Sequence, residues 1–407
     1  MRMKMITAGI LLSAVTCFSL SAAETVEKSV VERDTARLSG KPVHQLGLDV
    51  APAYVFPSHS FFKGENQKGK PIHGNFSAHL KYAFKFAPDS YFGRLYPHAA
   101  QGIGVAYNTF FNSAELGSPW AVYVFQTSRI ASLGKNLSLD YEWNFGASFG
   151  WKPMDKETNP KNEIVGSKIN AYINLGIMLN WQIAPQWNMT AGIGMTHFSN
   201  GNTHYPNAGV NTLGARVGLI RTLGNNEMEQ YRRPSLAFRP YFSYDVVLYG
   251  ASRKKGISSG DDGTGVMVPG SFGIAGMNIN PMYNFSRYFR TGRSLDVQYD
   301  ESANIAGHVV DPDASSEDIR FYRPSLKEQL GVGLSARAEL VMPIFSINLG
   351  IGKNFICKGE DTNKFYQIIA LKTHITKRAF LHVGYQLYNF KDPNNLMLGI
   401  GYRFNGR

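Results

Sequence analysis

Between Leu137 and Trp151 the chain alternates without a break. Leu137, Leu139, Tyr141, Trp143, Phe145, Ala147, Phe149 and Trp151 share one parity, and Ser138, Asp140, Glu142, Asn144, Gly146 and Ser148 share the other. Successive side chains of an extended strand point to opposite faces, so this stretch is a strand with one apolar and one polar face. The next segment repeats the pattern, with Ile169, Ala171, Ile173, Leu175, Ile177, Leu179, Trp181 and Ile183 opposed to Lys168, Asn170, Asn174, Gly176, Asn180 and Gln182. Ala184-Pro185-Gln186 then makes a tight turn. Both segments exceed the roughly 9 to 11 residues a tilted strand needs to cross a bilayer, and aromatic residues near their ends suit its two interfaces. The pair reads as a hairpin that is apolar toward lipid and polar toward a lumen.

The rest of the chain agrees with a membrane barrel and excludes helical spans. Residues 1–23 carry Arg2 and Lys4, an apolar stretch around Ile10-Leu11-Leu12, and Ser21-Ala22-Ala23 as a small-residue cleavage site, which together make a secretory signal peptide. Thr16 stands before Cys17 where a lipoprotein would need a smaller residue, so Cys17 leaves with the signal. Beyond Ala23 no run of roughly 18 apolar residues occurs, so no transmembrane helix is expected. Cleavage leaves Cys357 as the single cysteine, and the exported chain has no internal disulfide. Loss of Arg2 and Lys4 lowers the formal charge from +12 to +10. The basic residues are dispersed, which argues against nucleic acid and leaves anionic lipid head groups as a partner.

Strand-like segments recur near 46–56, 76–87, 100–111, 119–131, 187–199, 211–222, 235–249, 266–285, 294–305, 329–341, 344–356, 365–375, 380–390 and 395–404. The expectation is one all-β, antiparallel outer-membrane barrel of about 12 to 16 strands over 45–407, preceded by a periplasmic segment over 24–44. Residues 250–265 and 306–328 are the longest strand-poor stretches and read as extracellular loops. Leu396, Leu398, Ile400, Tyr402 and Phe404 form a C-terminal aromatic strand. Counting back from it makes the 187–199 strand run outward.

On that strand a polar pair interrupts the apolar register. Trp187 to Thr196 alternates, and His197 and Ser199 continue the lipid-facing parity, where imidazole and hydroxyl are expensive unless they act on something in the membrane. Same-face neighbours two apart on a strand lie about 6.6 to 6.8 Å apart, so the imidazole can lean toward the hydroxyl. A serine is a poor nucleophile until a positioned base takes its proton, and the imidazole can then return that proton to a leaving alcohol. Pairing symmetric about Tyr205 would set Ser199 opposite Asn211 and His197 diagonal to it. The Asn211 carboxamide oxygen can then accept the second imidazole N–H and fix the tautomer. This geometry suits ester cleavage.

Thr196-His197-Phe198-Ser199-Asn200-Gly201, followed by Pro206-Asn207-Ala208-Gly209, resembles the lipid A 3-O-deacylase family of outer-membrane β-barrel esterases. The resemblance implies cleavage of an acyl ester of lipid A, with His197 as base, Ser199 as nucleophile, and Asn200 with Asn207 near the oxyanion. The family's acidic member falls at Asn211. The resemblance is sharp over about 196–220, and the chain is much longer than the compact family type. No cofactor is needed, and no metal or nucleotide motif is present. The competing class is a non-enzymatic barrel, either a channel or a structural protein.

Other features read as structural. Gly256-Ile257-Ser258-Ser259-Gly260 spells a nucleophile-elbow pattern without strand-to-helix context. Arg253, Lys254 and Lys255 read as a solvated run or contacts to lipid phosphate at the outer rim. His204 is a solvated loop residue, Asp140 and Glu142 belong to the lumen, and Trp143, Trp151 and Trp181 read as lipid-facing or girdle residues.

Overall fold

The structure, a computed structural model, describes residues 41–405 other than 89, 225–237, 260–263, 311–318 and 391. The signal over 1–23 and residues 24–40 of the following segment lie outside the described residues. Alternation has the expected consequence nearly everywhere, because sixteen of the segments become long antiparallel strands. They close as two barrels of eight strands each, where the sequence reading anticipates one closure.

The first unit runs from 38 to 235 and contains β1 (Val43–Val55), β2 (Gly74–Lys85), β3 (Ala100–Thr109), β4 (Gly117–Ser132), β5 (Leu137–Trp151), β6 (Ile169–Ala184), β7 (Trp187–Ser199) and β8 (Val210–Leu223). Its strands pair in sequence order, and β8 returns to β1 with Val217 opposite Val50. The second unit contains β9 (Tyr241–Arg253), a small hairpin of β10 (Gly256–Ser259) and β11 (Thr264–Met267), then β12 (Phe272–Asn284), β13 (Phe289–Asp300), β14 (Leu330–Val341), β15 (Phe345–Ile356), β16 (Phe365–His374), β17 (Ala379–Tyr388) and β18 (Asp392–Phe404). Here β18 returns to β9, with Arg403 opposite Asp245. Alternation determines which side chains face outward, but it carries no information about which edges meet.

An eight-stranded barrel is just wide enough for side chains to fill, so the polar inward faces must satisfy one another. In the first barrel Lys81 Nζ lies 2.9 Å from Glu142 Oε2 and 2.5 Å from Asp49 Oδ2, and Arg216 Nη1 lies 2.5 Å from Glu142 Oε1. In the second, Asp245 accepts from Arg403 Nε at 2.6 Å and Lys372 Nζ at 2.9 Å, while Glu339 accepts from Lys372 Nζ at 2.6 Å and from Arg290. These charges are buried and paired, the condition under which burial is tolerable. Outward positions such as Leu175, Ile193, Val217, Leu248, Leu349 and Ile400 are exposed and apolar, a surface suited to lipid.

Trp181 is exposed on the outer face as read, Trp143 keeps its outward register opposite Leu175 but is covered by neighbours, and Trp151 is buried. Trp151 turns inward beyond a register shift between Gly117 and Trp120 and next to Gly150, whose φ is 91°. Its indole N–H donates to Ser148 Oγ at 2.9 Å.

Candidate active site

The site lies where β7 finishes. The side chain between His197 and Ser199 is Phe198, which points into the first barrel and is buried against Phe110, Trp151 and Tyr172 at centroid separations of 6.0, 5.1 and 5.4 Å. Burying such a ring stabilises by roughly 1.5–3 kcal/mol, with about 0.5–1.5 kcal/mol more for each well-placed aromatic pair. Phe198 therefore anchors the strand end, and period-2 geometry turns His197 and Ser199 to the outer face.

On that face β6 sets Ile173 opposite His197 and Ala171 opposite Ser199, while β8 sets Asn211 opposite His197. The register differs by two residues from symmetry about Tyr205, so Asn211 faces His197 directly instead of Ser199. The ladder stops early because Gly209 N–H donates to Ile164 O at 3.3 Å, in the β5–β6 loop, and not across to β7. Gly209 has a φ of 72°, and a Cβ there would meet Phe198 O at 2.9 Å and stand 3.5 Å from His197 Cε1 and 3.6 Å from Ser199 Cβ. Glycine is what this bend beside the site requires.

His197 joins the other two side chains. Its Nε2 lies 2.9 Å from Ser199 Oγ and its Nδ1 lies 2.7 Å from Asn211 Oδ1. A carboxamide oxygen only accepts, so Nδ1 carries the hydrogen, and Nε2 is left with a lone pair toward the serine hydroxyl. His197, Ser199 and Asn211 are all half-buried. The Asn211 backbone is held as well, since its carbonyl accepts from Phe56 N–H at 2.9 Å.

The two loop asparagines separate in role. Asn200 is buried and its side chain is committed to the loop: Nδ2 donates to His204 O at 2.8 Å and Pro206 O at 3.3 Å, and Oδ1 accepts from His204 N–H at 3.4 Å. The Asn200 backbone N–H donates to Asn207 Oδ1 at 2.8 Å. That bond orients the Asn207 carboxamide with its oxygen occupied, so its NH2 is the group that can still donate. Gly166 underlies the same loop, where a Cβ would fall 2.5 Å from Tyr205 and Pro206 backbone atoms.

Sequence reasoning missed the flank of this face. Phe56 continues β1 beside Asn211, Tyr54 meets Phe56 edge-on at 5.9 Å, and His73 stacks on Tyr54 at 5.9 Å. The signal available was the aromatic spacing in Tyr54-Val55-Phe56. Two further Ser–His contacts, Ser77 with His79 and Ser346 with His374, each 3.0 Å long, lie on inward-facing positions away from lipid. His204 is exposed, and Gly256–Ser259 forms β10 and pairs with β11 in a small hairpin, while Gly260 lies outside the described residues. Among the described residues no group of three or more His, Cys, Asp or Glu could hold a metal.

The first barrel also holds a cavity of about 590 Å³, lined by Lys85, Arg129, Asp140, Asn180 and Asn188, at the end where β7 begins. It is remote from His197. Ester cleavage on a lipid-facing surface needs no enclosed cavity, because the acyl chains stay in the bilayer.

Comparison with protein families places two models on the chain. Residues 78–219 match lipid A 3-O-deacylase, and residues 242–406 match the acyloxyacyl hydrolase C-terminal domain. The chain belongs to the lipid A 3-O-deacylase family. It is accordingly a lipid A deacylase of the outer membrane; the first match falls on β2 to β8 and the second on β9 to β18. Comparison with curated proteins returns no match. Among solved structures the chain is similar to Neisserial surface protein A, at 7% identity over 44% of this chain and 97% of that one with a TM-score of 0.30. It is similar also to the N-terminal β-barrel domain of Pseudomonas aeruginosa OprF, at 7% identity over 44% and 99% with a TM-score of 0.26.

Proposed function

We propose that this deacylase is a serine esterase whose reacting groups are Ser199, His197 and Asn211 at the outer end of β7 and β8. The observation that carries the reading is the bridging imidazole, with a hydroxyl on Nε2 and a tautomer-fixing acceptor on Nδ1. Nε2 takes the Ser199 proton as Oγ bonds to the acyl carbon. The tetrahedral oxyanion collapses, the bond from acyl carbon to sugar oxygen breaks, and the proton passes to that oxygen. Water, deprotonated by the same imidazole, then releases the fatty acid and restores Ser199.

The donor to the oxyanion in this reading is the NH2 of Asn207, oriented through the Asn200 backbone. Asn200 contributes by shaping the loop, since its side chain and its N–H are already bonded. Outward apolar residues such as Ile169, Ile173 and Leu213 surround the group with a surface for acyl chains. The alternative of a channel finds little support in the first barrel, where Asp49, Lys81, Glu142 and Arg216 are paired across the interior and aromatic rings close the end beneath the site.

A fluorophosphonate probe tests the nucleophile. Folded protein in detergent is expected to gain one adduct, mapped by mass spectrometry to Ser199, and Ser199→Ala to gain none. Labelling that persists in folded Ser199→Ala would overturn the assignment.

A further inference from the structure

Neither group bonded to the His197 imidazole carries a charge. When the Ser199 proton moves to Nε2, an imidazolium forms on a lipid-facing surface with a neutral carboxamide at its back. A carboxylate at Asn211 would offset that cation, whereas a carboxamide orients the ring and leaves the charge standing. In a medium of low effective dielectric this difference is large.

The surroundings favour an anion arriving from outside the protein. The loops at this end of the first barrel, 56–73, 110–116, 152–168 and 200–209, contain seven lysines and five carboxylates. Three of those carboxylates are already engaged: Glu115 is buried and accepts from Gln67 N–H and Asn112 Nδ2, Asp155 accepts from the Thr158 N–H and hydroxyl, and Glu163 lies 3.1 Å from His59 Nε2. Lys63, Lys70, Lys152 and Lys168 are exposed. A net cationic rim around an uncompensated base is complementary to a phosphorylated head group.

We propose that the missing anion is supplied by the substrate: a phosphate on the sugar that carries the scissile ester offsets the His197 imidazolium, so the esterase is selective for phosphorylated glycolipids at the chemical step. The inference rests on His197 and Ser199 being the reacting pair. Its mark is that phosphate acts on kcat, whereas phosphate used only for docking to lysines would act on KM.

The test compares full-length protein on bisphosphorylated lipid A and on the same lipid A freed of phosphate by a phosphatase, with released fatty acid counted by mass spectrometry. Wild type is expected to lose about ten- to hundredfold in kcat on the phosphate-free lipid, as one unit charge at close range implies. Asn211→Glu supplies the anion from the protein and is expected to bring the two kcat values within about threefold of each other, a ratio set by the same charge balance. Asn211→Gln, the neutral control, keeps the wild-type dependence wherever it folds. Equal wild-type kcat on the two lipids, a change confined to KM, or an unchanged ratio in folded Asn211→Glu would each overturn the proposal. Turnover by Ser199→Ala equal to wild type would instead overturn the reading beneath it.

Discussion

His197 and Asn211 face each other directly across β7 and β8, and their side chains meet through a 2.7 Å contact between Nδ1 and Oδ1. The carboxamide determines which ring nitrogen keeps its hydrogen, so its loss frees the ring to rotate and to adopt the unproductive tautomer. Asn211→Ala is expected to lower kcat about ten- to hundredfold with a smaller effect on KM, the signature of a group acting in the transition state. Asn211→Glu is expected to retain activity, because a carboxylate oxygen accepts the same Nδ1–H and keeps the productive tautomer. Steady-state kinetics on a phosphorylated lipid A checks both.

Phe198 is the mechanical root of the site. Phe198→Ala leaves a cavity among Phe110, Trp151 and Tyr172 and is expected to destabilise the first barrel by about 3–5 kcal/mol, the usual result for truncating a buried aromatic ring. The heat-dependent mobility shift of the folded barrel on gels measures this as a lower transition temperature. Activity should fall in the fraction that remains folded, because the strand end carrying His197 and Ser199 loses its anchor.

Asn207 and Asn200 should separate in kinetics and stability. Removing one oxyanion donor typically lowers kcat by about 10²–10³, and Asn207→Ala is expected to do so with the fold intact. Asn200→Ala removes side-chain bonds to His204 O and Pro206 O, and the buried Pro206 carbonyl loses that donor. It should therefore loosen the 200–209 loop, seen as faster proteolysis there, together with a drop in activity. Asn207→Ala with wild-type kcat would assign the oxyanion to another donor.

The interior ion cluster should matter for folding and little for chemistry. Glu142 accepts from Lys81 and Arg216, so Glu142→Gln leaves two buried cations with Asp49 as the remaining carboxylate. Breaking a buried ion pair from one side is destabilising by about 3–5 kcal/mol. The same unfolding assay should report that loss, while folded Glu142→Gln keeps most of its deacylation rate because Glu142 lies at mid-barrel on the inward face.

Strand positions were legible in the sequence because alternation is local: Leu137 to Trp151 and Ile169 to Ile183 declare their faces without reference to anything else. Closure was not. Whether β8 meets β1 depends on a pairing between residues far apart, such as Val217 and Val50, which leaves no periodic trace. Trp151 escaped for a related reason, since a bulge and the positive φ of Gly150 reverse its parity. At the site, His197 and Ser199 stood out because polar groups had replaced an apolar register. The exact partner of Asn211 did not, because the register depends on Gly209 bonding to Ile164 in another loop.

The most direct measurement is the mass spectrum of lipid A from cells that carry the wild-type chain, its Ser199→Ala variant, or neither. With both proteins folded in the outer membrane, wild type should remove one ester-linked acyl chain, and Ser199→Ala should leave lipid A as it is in cells carrying neither. Deacylated lipid A at wild-type levels in the Ser199→Ala cells, or unmodified lipid A in all three, would contradict the account.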